Sequence, residues 1–427
     1  MSAAPPMTAR PGQRVLVLGA GIVGVSCALS LCQRGLAVTV LDPLGAGAAT
    51  SFGNAGVLAR SSLMPFNHPG LWSQLPALLR GRHPGFRYEP GWTLRQWRWG
   101  LAFLAHARHA AFEETTAALD ALIRHSATLH RRWMSAAGVA HRRRDDGWLF
   151  LYRSVAAFEA GASGRATLAR FGVATRVLDG AGLQALEPGL RPIFARALWV
   201  QDASAVDSPG AVVQGYAAWL QAQGGQLLNR TATGLQRTEG GWSVHTREGT
   251  AHTAEHVVLA LGPWSRDFLR EHLGLSLPMA YERGQHRHFH ATGGPGLSRP
   301  VYDTAGGYVL APMAQGLRLS TGVELNARDA PPSRVQLEAA ERAAREAMPL
   351  GERTCDPDWL GSRPTLPDSR PMIGACPGRP GLWLALGHQH IGLSTGPGTG
   401  ELLAQLMLGE TPALDPAPFR PQRFLRG

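Results

Sequence analysis

Short apolar runs alternate with a helical pattern at the start of the chain. Residues 15–18 are aliphatic and end at Gly19, which is typical of a strand buried in a parallel sheet. Apolar positions then recur at helical spacing over residues 22–34, and residues 37–41 form a second apolar run. The pattern predicts a strand, a helix and a second strand that is parallel to the first.

Helical and alternating patterns divide the rest of the chain. Residues 63–144 are helical in pattern, and one helix face carries Leu94, Trp97, Leu101 and Leu104, with Arg95 and Arg98 off it. Other helices are predicted over 209–223, 334–347 and 400–408, and strands over 147–152, 226–235, 240–247, 254–261, 287–290, 307–312 and 317–323. The alternating runs between 277 and 324 predict a second sheet that is largely antiparallel.

The turn after the first strand carries glycines at the spacing of a dinucleotide-binding motif. Gly19 permits a tight turn, Gly21 lets the backbone approach a pyrophosphate, and Gly24 lets the helix pack closely on the strand. Asp42 ends the second apolar run, where its carboxylate can accept a hydrogen bond from a ribose 2′-hydroxyl. These residues predict a dinucleotide site for an unphosphorylated ribose.

The segment after this motif is rich in small residues and in hydrogen-bond donors. Residues 48–56 read Ala-Ala-Thr-Ser-Phe-Gly-Asn-Ala-Gly, which suits a backbone that lies flat against a ring system. With the glycine motif, this segment resembles the start of the D-amino acid oxidase (DAO) superfamily of FAD-dependent oxidoreductases. The bacterial D-amino acid dehydrogenase branch is the most similar. Residues 257–265, 361–368 and 387–394 are similar to three later motifs of the same superfamily, and they occur in the same order.

The resemblance implies an α/β fold with two domains. A discontinuous Rossmann-type FAD-binding domain would comprise residues 1–62, 196–270 and 356–427. An α+β substrate-binding domain, built on a largely antiparallel sheet, would comprise residues 63–195 and 271–355.

The same resemblance implies which residues contact the cofactor. They are Gly19, Ala20, Gly21, Ile22, Val23, Gly24, Asp42, Pro43, Thr50, Ser51, Asn54, Ala55, Gly56, Ala232, Ala260, Gly262, Trp264, Gly387, Gly392, Leu393 and Ser394. Some members of the family bind flavin through a cysteine, but Cys27, Cys32, Cys355 and Cys376 all lie outside the matching motif. The expected cofactor is therefore noncovalent FAD.

Four residues are candidates for contact with substrate. By resemblance, Arg363 is the family's carboxylate-binding arginine, although a surface ion pair with Asp358 or Asp368 is the alternative. Tyr308 matches a tyrosine that faces substrate in related amine oxidases, and core packing is its alternative.

Histidines form the remaining candidates. His388 matches a loop beside the flavin, and His390 stands where relatives often carry arginine. Gln285 replaces a tyrosine of related sequences, which would remove a hydroxyl near the substrate amine. No metal site is expected from these histidines.

Charge and composition narrow the classes of function. All 42 basic residues are arginine, and the formal net charge is +11. The absence of lysine excludes Schiff-base catalysis and a Walker lysine. The arginines are widely spread, so no nucleic-acid partner is expected.

The sequence also bears on location. No run of 18 apolar residues occurs, so no transmembrane helix is expected. The first residues lack the charged start and the apolar stretch of a secretion signal, so a cytoplasmic location is the default. Tryptophans and arginines concentrate in residues 71–108, which suggests peripheral contact with the inner face of the cytoplasmic membrane, with packing between helices as the alternative.

The resemblance implies oxidative deamination of a D-amino acid to a 2-oxo acid and ammonia, by hydride transfer to flavin N5. Quinone, a respiratory carrier or oxygen would then accept the electrons. Oxidation of glycine, sarcosine, proline or hydroxyproline is the alternative reaction. A flavin-binding subunit of a hetero-oligomer, or an RNA-modifying flavoprotein, is the alternative from another class.

Overall fold

A computed structural model of the protein describes residues 8–81, 83–290, 292, 294–354 and 358–425. Its strands are β1 (Arg14–Leu18), β2 (Ala37–Leu41), β3 (Val57–Leu58), β4 (Phe86–Tyr88), β5 (Arg143–Arg144), β6 (Trp148–Tyr152), β7 (Thr175–Asp179), β8 (Arg196–Val200), β9 (Ser204–Val206), β10 (Gln226–Leu228), β11 (Ala232–Thr238), β12 (Gly241–Thr246), β13 (Ala251–Ala254), β14 (His256–Leu259), β15 (Ala280–Phe289), β16 (Val301–Asp303), β17 (Tyr308–Met313), β18 (Gly316–Thr321), β19 (Val323–Leu325), β20 (Trp359–Thr365), β21 (Met372–Ala375) and β22 (Leu382–Leu386). Its α-helices are α1 (Ile22–Cys32), α2 (Leu71–Leu79), α3 (Pro90–Arg95), α4 (Trp97–Ala105), α5 (His109–Ala136), α6 (Val155–Ala160), α7 (Ala162–Arg170), α8 (Gly180–Leu186), α9 (Pro209–Ala222), α10 (Ser265–Leu273), α11 (Val335–Ala347) and α12 (Gly392–Leu408).

The first strands build a six-stranded sheet in the order β10-β2-β1-β14-β22-β21. Its neighbouring strands are parallel except β21, which runs antiparallel to β22. Alternate residues of β1 are buried on opposite faces: Val15 and Val17 pack with helices α1, α5, α9 and α12, while Leu16 and Leu18 pack in a second core beneath the β11-β12-β13 sheet. Burial on both faces explains the continuous apolar run at 15–18.

Helices α1 and α12 pack against each other at short range although they lie at opposite ends of the chain. A Cβ atom on Gly400 would overlap the carbonyl of Ser26, and one on Gly396 would lie only 2.7 Å from a side-chain carbon of Ile22. These two glycines therefore set the close contact between the helices. Both helices begin at the same end of the six-stranded sheet.

A second, larger sheet runs in the order β4-β19-β15-β18-β17-β16-β6-β8-β7, with β20 also paired to β15. Most neighbouring pairs are antiparallel, and helix α11 covers one face with Leu337, Ala340 and Ala344. This architecture confirms the predicted fold class, an α/β Rossmann-type unit with a largely antiparallel second sheet. The family resemblance assigns residues 196–200 and 359–365 to the FAD-binding domain. In the structure these residues form β8 and β20, which belong to the large sheet.

Several predicted boundaries are corrected. The predicted strand 226–235 is two strands in different sheets, β10 and β11, and the predicted strand 254–261 is likewise the end of β13 followed by β14. The strand predicted at 287–290 is the end of β15, whose ten residues are all buried. The last helix begins at Gly392 rather than at residue 400.

The predicted helical region 63–144 contains α2 to α5 and the strand β4, and its predicted apolar face is corrected. Leu94, Trp97 and Leu101 are more than half exposed, whereas Trp92 and Trp99 are buried. The chain turns at Gln96 between α3 and α4, so the two helices do not share one continuous apolar face. In the part of the chain that the structure describes, no helix is long and apolar enough to cross a membrane.

Candidate active site

The turn between β1 and α1 has the shape that the glycine motif predicts. Gly19 has φ +106°, and a Cβ there would overlap the carbonyl oxygen of Ala260. A Cβ on Gly24 would overlap the carbonyl oxygen of Gly19 itself. Gly21 is the N-cap of α1 and provides no side-chain cap, so the helix presents its first amides at this turn.

Asp42 and Ser51 surround this turn. One carboxylate oxygen of Asp42 accepts the N–H of Ala20 at 2.8 Å, and the other accepts the N–H of Leu44 at 2.8 Å. The Ser51 hydroxyl accepts the N–H of Ile22 at 2.9 Å and so ties residues 48–56 to the helix start. This arrangement fits a dinucleotide: the amides at the start of α1 can bind phosphate, and the carboxylate of Asp42 has lone pairs left to accept a ribose hydroxyl.

Helix α12 brings a second N-terminus to the same place. Gly387 has φ +80° and turns the chain after β22, and α12 begins at Gly392 without a side-chain cap. Leu393 and Ser394 line the same cavity as Ile22 of α1. The predicted cofactor motifs at the two ends of the chain therefore meet, as the resemblance implies.

Other predicted cofactor residues lie around this turn or farther away. Thr50, Asn54 and Ala55 line the cavity. Ala260 follows β14, and its carbonyl lies against Gly19. The cavity lining does not include Val23, Pro43, Gly56, Ala232 or Gly262. Trp264 is 43% exposed, with the Arg328 guanidinium 5.7 Å from its ring, and it does not line the cavity.

The cavity extends from these helix starts to the large sheet and measures about 720 Å³. Apolar side chains from α2 to α4 form its outer wall, including Leu71, Trp92, Trp99 and Phe103. The indole N–H of Trp99 donates to the carbonyl of Thr365 at 3.1 Å, which fixes α4 to β20. A cavity of this size and lining suits a ring system and a small organic substrate.

Arg363 points into this cavity from β20. Its Nη1 donates to the carbonyl of Gly322 at 3.0 Å, and its guanidinium lies directly over Gly284 of β15, where a Cβ would overlap it. Burial lowers the pKa of Arg363, and the neighbouring negative charge of Glu282 opposes that shift.

The alternative ion pairs of Arg363 are not formed. Asp358 pairs with Arg287, and Asp368 pairs with Arg370 and Arg423. Among the described residues, no carboxylate lies within 4.0 Å of the Arg363 guanidinium, so its fork is available to a substrate carboxylate.

Glu282 is a site residue that sequence reasoning missed. It lies directly across from Arg363 in the β15–β20 pair, lines the cavity and is 3% exposed. Burial raises its pKa to about 7, and the positive charge of Arg363 opposes this rise. Its trace in the sequence is that Glu282 is the one acidic residue of β15, beside two arginines and two histidines.

His388 and His390 have different positions. His390 lines the cavity and its ring stacks on Phe66 with centroids 4.6 Å apart. Burial, with the positive charge of Arg363, lowers its pKa to about 3, so it is neutral at pH 7. His388 does not line the cavity; its Nε2 pairs with the Thr399 hydroxyl at 2.9 Å, and burial lowers its pKa to about 3. His388 therefore ties the loop before α12 to the body of that helix, outside the cavity lining.

Two further expectations are corrected. Tyr308 is 1% exposed and lies on the opposite face of the large sheet, where its hydroxyl donates to the carbonyl of Ala343 on α11 at 3.4 Å. Gln285 also faces away from the cavity, and its amide donates to the carbonyl of Ser333 at 2.6 Å. Side chains alternate along a strand, so Glu282 and Gly284 face the cavity while Gln285 faces the other side.

Trp359 is a second residue that the sequence did not reveal. It lines the cavity and stacks on His286 with centroids 4.8 Å apart and an interplanar angle of 11°. Its ring occupies the space that a Cβ on Gly53 or Gly361 would need. The two glycines are the sequence trace of this close packing.

Comparison with known proteins gives matches over nearly the whole chain. The family model described as FAD dependent oxidoreductase (DAO) matches residues 14–406. The D-amino-acid oxidase of Bradyrhizobium diazoefficiens is 30% identical over 422 residues, which cover 97% of this chain and 99% of that protein. The D-amino acid dehydrogenase 2 of Pseudomonas aeruginosa is 32% identical over 433 residues, which cover 97% of this chain and 100% of that protein.

Solved structures share the fold. L-proline dehydrogenase from P. horikoshii has a TM-score of 0.74 at 19% identity, covering 98% of this chain and 100% of its own. Glycine oxidase from Geobacillus kaustophilus has a TM-score of 0.72 at 21% identity, covering 96% of this chain and 98% of its own. The family model matches nearly the whole chain, and the glycine turn and the two helix starts fit the same family. The chain therefore belongs to the DAO family of FAD-dependent oxidoreductases.

Proposed function

We propose that the protein oxidises a D-amino acid to its imino acid, which water converts to a 2-oxo acid and ammonia. The observation that carries the proposal is the guanidinium of Arg363, which lines a largely apolar cavity together with the start of α12 and forms no ion pair with a carboxylate of the described residues. The relatives of about 30% identity, named D-amino-acid oxidase and D-amino acid dehydrogenase, support the D-amino acid as substrate.

In this proposal the residues of the chain bind, orient and enclose the substrate. Arg363 holds the carboxylate through two parallel hydrogen bonds, and the wall formed by Trp92, Trp99 and Phe103 excludes water. FAD, when bound, supplies the two-electron acceptor. The side chain of the substrate would point to the α2–α4 wall, so the shape of that wall selects its size.

The proposed cofactor is noncovalent FAD. Helices α1 and α12 direct amides to its phosphates, Asp42 accepts a ribose hydroxyl, and residues Thr50 to Ala55 lie beside the ring. Cys27 and Cys376 are buried away from the cavity, and Cys355 lies outside the described residues. Release of yellow flavin by acid or heat would support noncovalent attachment, and flavin that stays with the protein would refute it.

The test is anaerobic reduction of the purified protein. D-amino acids, L-amino acids, glycine, sarcosine, proline and hydroxyproline are added separately, and bleaching of the flavin spectrum is followed. Bleaching by D-amino acids alone supports the proposal. Arg363→Ala should abolish this bleaching, whereas Arg176→Ala, at an exposed position of β7, is the matched control and should keep it.

Oxidation of a secondary amine or of glycine is the second candidate. The shared fold of glycine oxidase and L-proline dehydrogenase favours it, since the same arginine anchor would serve those substrates. Bleaching by those amines, and not by D-amino acids, would establish this candidate. A yellow protein that none of them bleaches would point to a flavin-binding subunit, and RNA affinity that falls steeply with salt would point to RNA modification.

We also propose that the protein docks on the cytoplasmic face of the membrane through residues 71–108, where quinone or a respiratory carrier would accept the electrons. The outer side of the cavity wall exposes Trp72, Leu79, Leu94, Trp97 and Leu101, each more than half exposed, and Arg80, Arg87, Arg95 and Arg98 surround them. Tryptophan and arginine favour an anionic bilayer surface.

Vesicle sedimentation tests this docking. The double variant Trp97→Ser, Leu101→Ser is expected to lose binding to vesicles of anionic phospholipid. Val177→Ser is the control, because Val177 is 50% exposed on β7, in the other part of the large sheet. If the double variant sediments with the vesicles as much as Val177→Ser does, the docking is refuted. Oxygen would then remain as the electron acceptor to test.

A further inference from the structure

We propose that Glu282 contacts the amino group of the substrate and takes its ammonium proton, opposite the carboxylate anchor Arg363. The inference rests on the proposed function, because it needs an amino acid as substrate. It adds a proton acceptor to a site in which Arg363 alone would bind any small carboxylate.

The first argument is the placement of the two charges. Glu282 and Arg363 are directly paired across β15 and β20, so their Cβ atoms are expected about 5 Å apart on the same face of the sheet. The guanidinium nevertheless leans over Gly284 and donates to Gly322. In the described part of the chain, no ion pair within 4.0 Å joins Glu282 to an arginine. The two groups therefore lie side by side without a direct ion pair, although each charge still acts on the pKa of the other.

The second argument is an unsatisfied oxygen. The Oε2 atom of Glu282 is buried and has no hydrogen-bond partner among the described residues. An unpaired buried carboxylate oxygen is costly, and a ligand N–H at the cavity wall would satisfy it.

The groups that face Glu282 leave it as the acceptor in this part of the cavity. On β20, Arg363 is the charged neighbour, and the Thr365 hydroxyl is a polar neighbour that also opposes the rise of the Glu282 pKa. Strand β19 places Leu325 opposite Glu282, and α3 contributes Trp92 to the wall. His390 enters from the loop before α12, and burial holds its pKa at about 3, so it is a weak proton acceptor at pH 7. Burial raises the pKa of Glu282 to about 7, which makes it a far stronger one.

The proton step is balanced within the site. A free amino acid carries one ammonium and one carboxylate, which match Glu282 and Arg363 in sign. When the substrate binds, an N–H bond of its ammonium breaks and an O–H bond forms at Oε2 of Glu282. The amine nitrogen keeps the electron pair, and this neutral amine is the form that can be oxidised at the neighbouring carbon.

A ligand that cannot react tests the contact directly. 2-Aminoisobutyrate has no hydrogen on its α-carbon, and isobutyrate also lacks the amine, so their affinities for the FAD-loaded protein isolate the amino group. Wild type is expected to prefer 2-aminoisobutyrate by about tenfold or more, as for one charge-assisted hydrogen bond. Glu282→Gln should lose this preference. Glu324→Gln, on the neighbouring strand beside Arg283, should keep it.

The pH profile of anaerobic flavin reduction tests the proton transfer. In wild type, the rate should fall about tenfold per pH unit below 7, because the carboxylate becomes protonated. In Glu282→Gln, the rate at pH 7 should be at least about tenfold lower and should rise with pH until the free amine predominates. Glu282→Asp keeps the carboxylate with a shorter reach, so it should keep the shape of the wild-type profile if Glu282→Gln fails to fold.

The outcomes separate the two proposals. If D-amino acids bleach wild type and Glu282→Gln keeps its pH profile and its ligand preference, this inference is overturned and the proposed function stands. If no D-amino acid bleaches wild type, the proposed function fails. The ligand comparison still decides the contact in that case, since equal affinities for the two ligands in wild type would overturn it.

Discussion

Gly284→Ala tests whether the position of the Arg363 guanidinium, and not only its charge, controls the reaction. A Cβ at residue 284 would lie 2.8 Å from the guanidinium carbon, whereas ordinary contacts begin at 3.4 Å. The Nη2 atom would lie closer still, so the guanidinium must retreat by more than 0.6 Å. Because the displaced atoms are the end of a flexible side chain, the fold should tolerate the change.

The expected cost is in catalysis. A misplacement of about 1 Å at a reacting centre reduces rates by roughly 100-fold, or about 2.7 kcal/mol in the activation free energy. Anaerobic stopped-flow reduction by the best D-amino acid should show this loss in kcat/KM, with FAD content unchanged. Gly240→Ala is the matched control, since a Cβ there meets no atom within 4 Å. A Gly284→Ala variant within about threefold of wild type would refute the assignment of Arg363 as the anchor.

Three further outcomes follow from the structure. Tyr308→Phe should leave kcat/KM within about twofold of wild type, because the hydroxyl faces Ala343 on the far side of the sheet, and a large loss in steady-state assays would contradict that placement. Gly24→Ala should purify without FAD, since its Cβ would overlap the Gly19 carbonyl, and an ordinary flavin spectrum would contradict this. Burial lowers the pKa of His130 to about 4, so between about pH 6.5 and 4 the unfolded chain binds a proton at this residue that the folded protein does not. His130 therefore contributes roughly 1.4 kcal/mol per pH unit to the loss of stability over this range, and His130→Gln should lower the slope by that amount in urea titrations.

The parts of the fold that depend on local pattern were predictable from the sequence. The apolar run at 15–18, the glycines that follow and Asp42 form one continuous unit, so neighbouring residues determine its structure. Arg363 was identified through its motif, and the structure places it in the cavity as expected.

The parts that failed depend on long-range pairing. Tyr308 and Gln285 each lie on the face of a strand that turns away from the cavity, and one residue of register decides that face. Glu282 gains its role only because β15 pairs with β20, about 80 residues farther along the chain. Leu94 and Trp97 follow a helical pattern, but the turn at Gln96 points them to the exterior.

The contact between α1 and α12 has a consequence for biosynthesis. The ribosome makes the glycine turn first, but Gly396 and Gly400 must pack on Ile22 and Ser26 before the second helix start lies beside it. The two helices are separated by most of the described chain, so this contact cannot form until α12 has been synthesised. The glycine turn alone is therefore only half of the flavin site while the nascent chain still lacks α12.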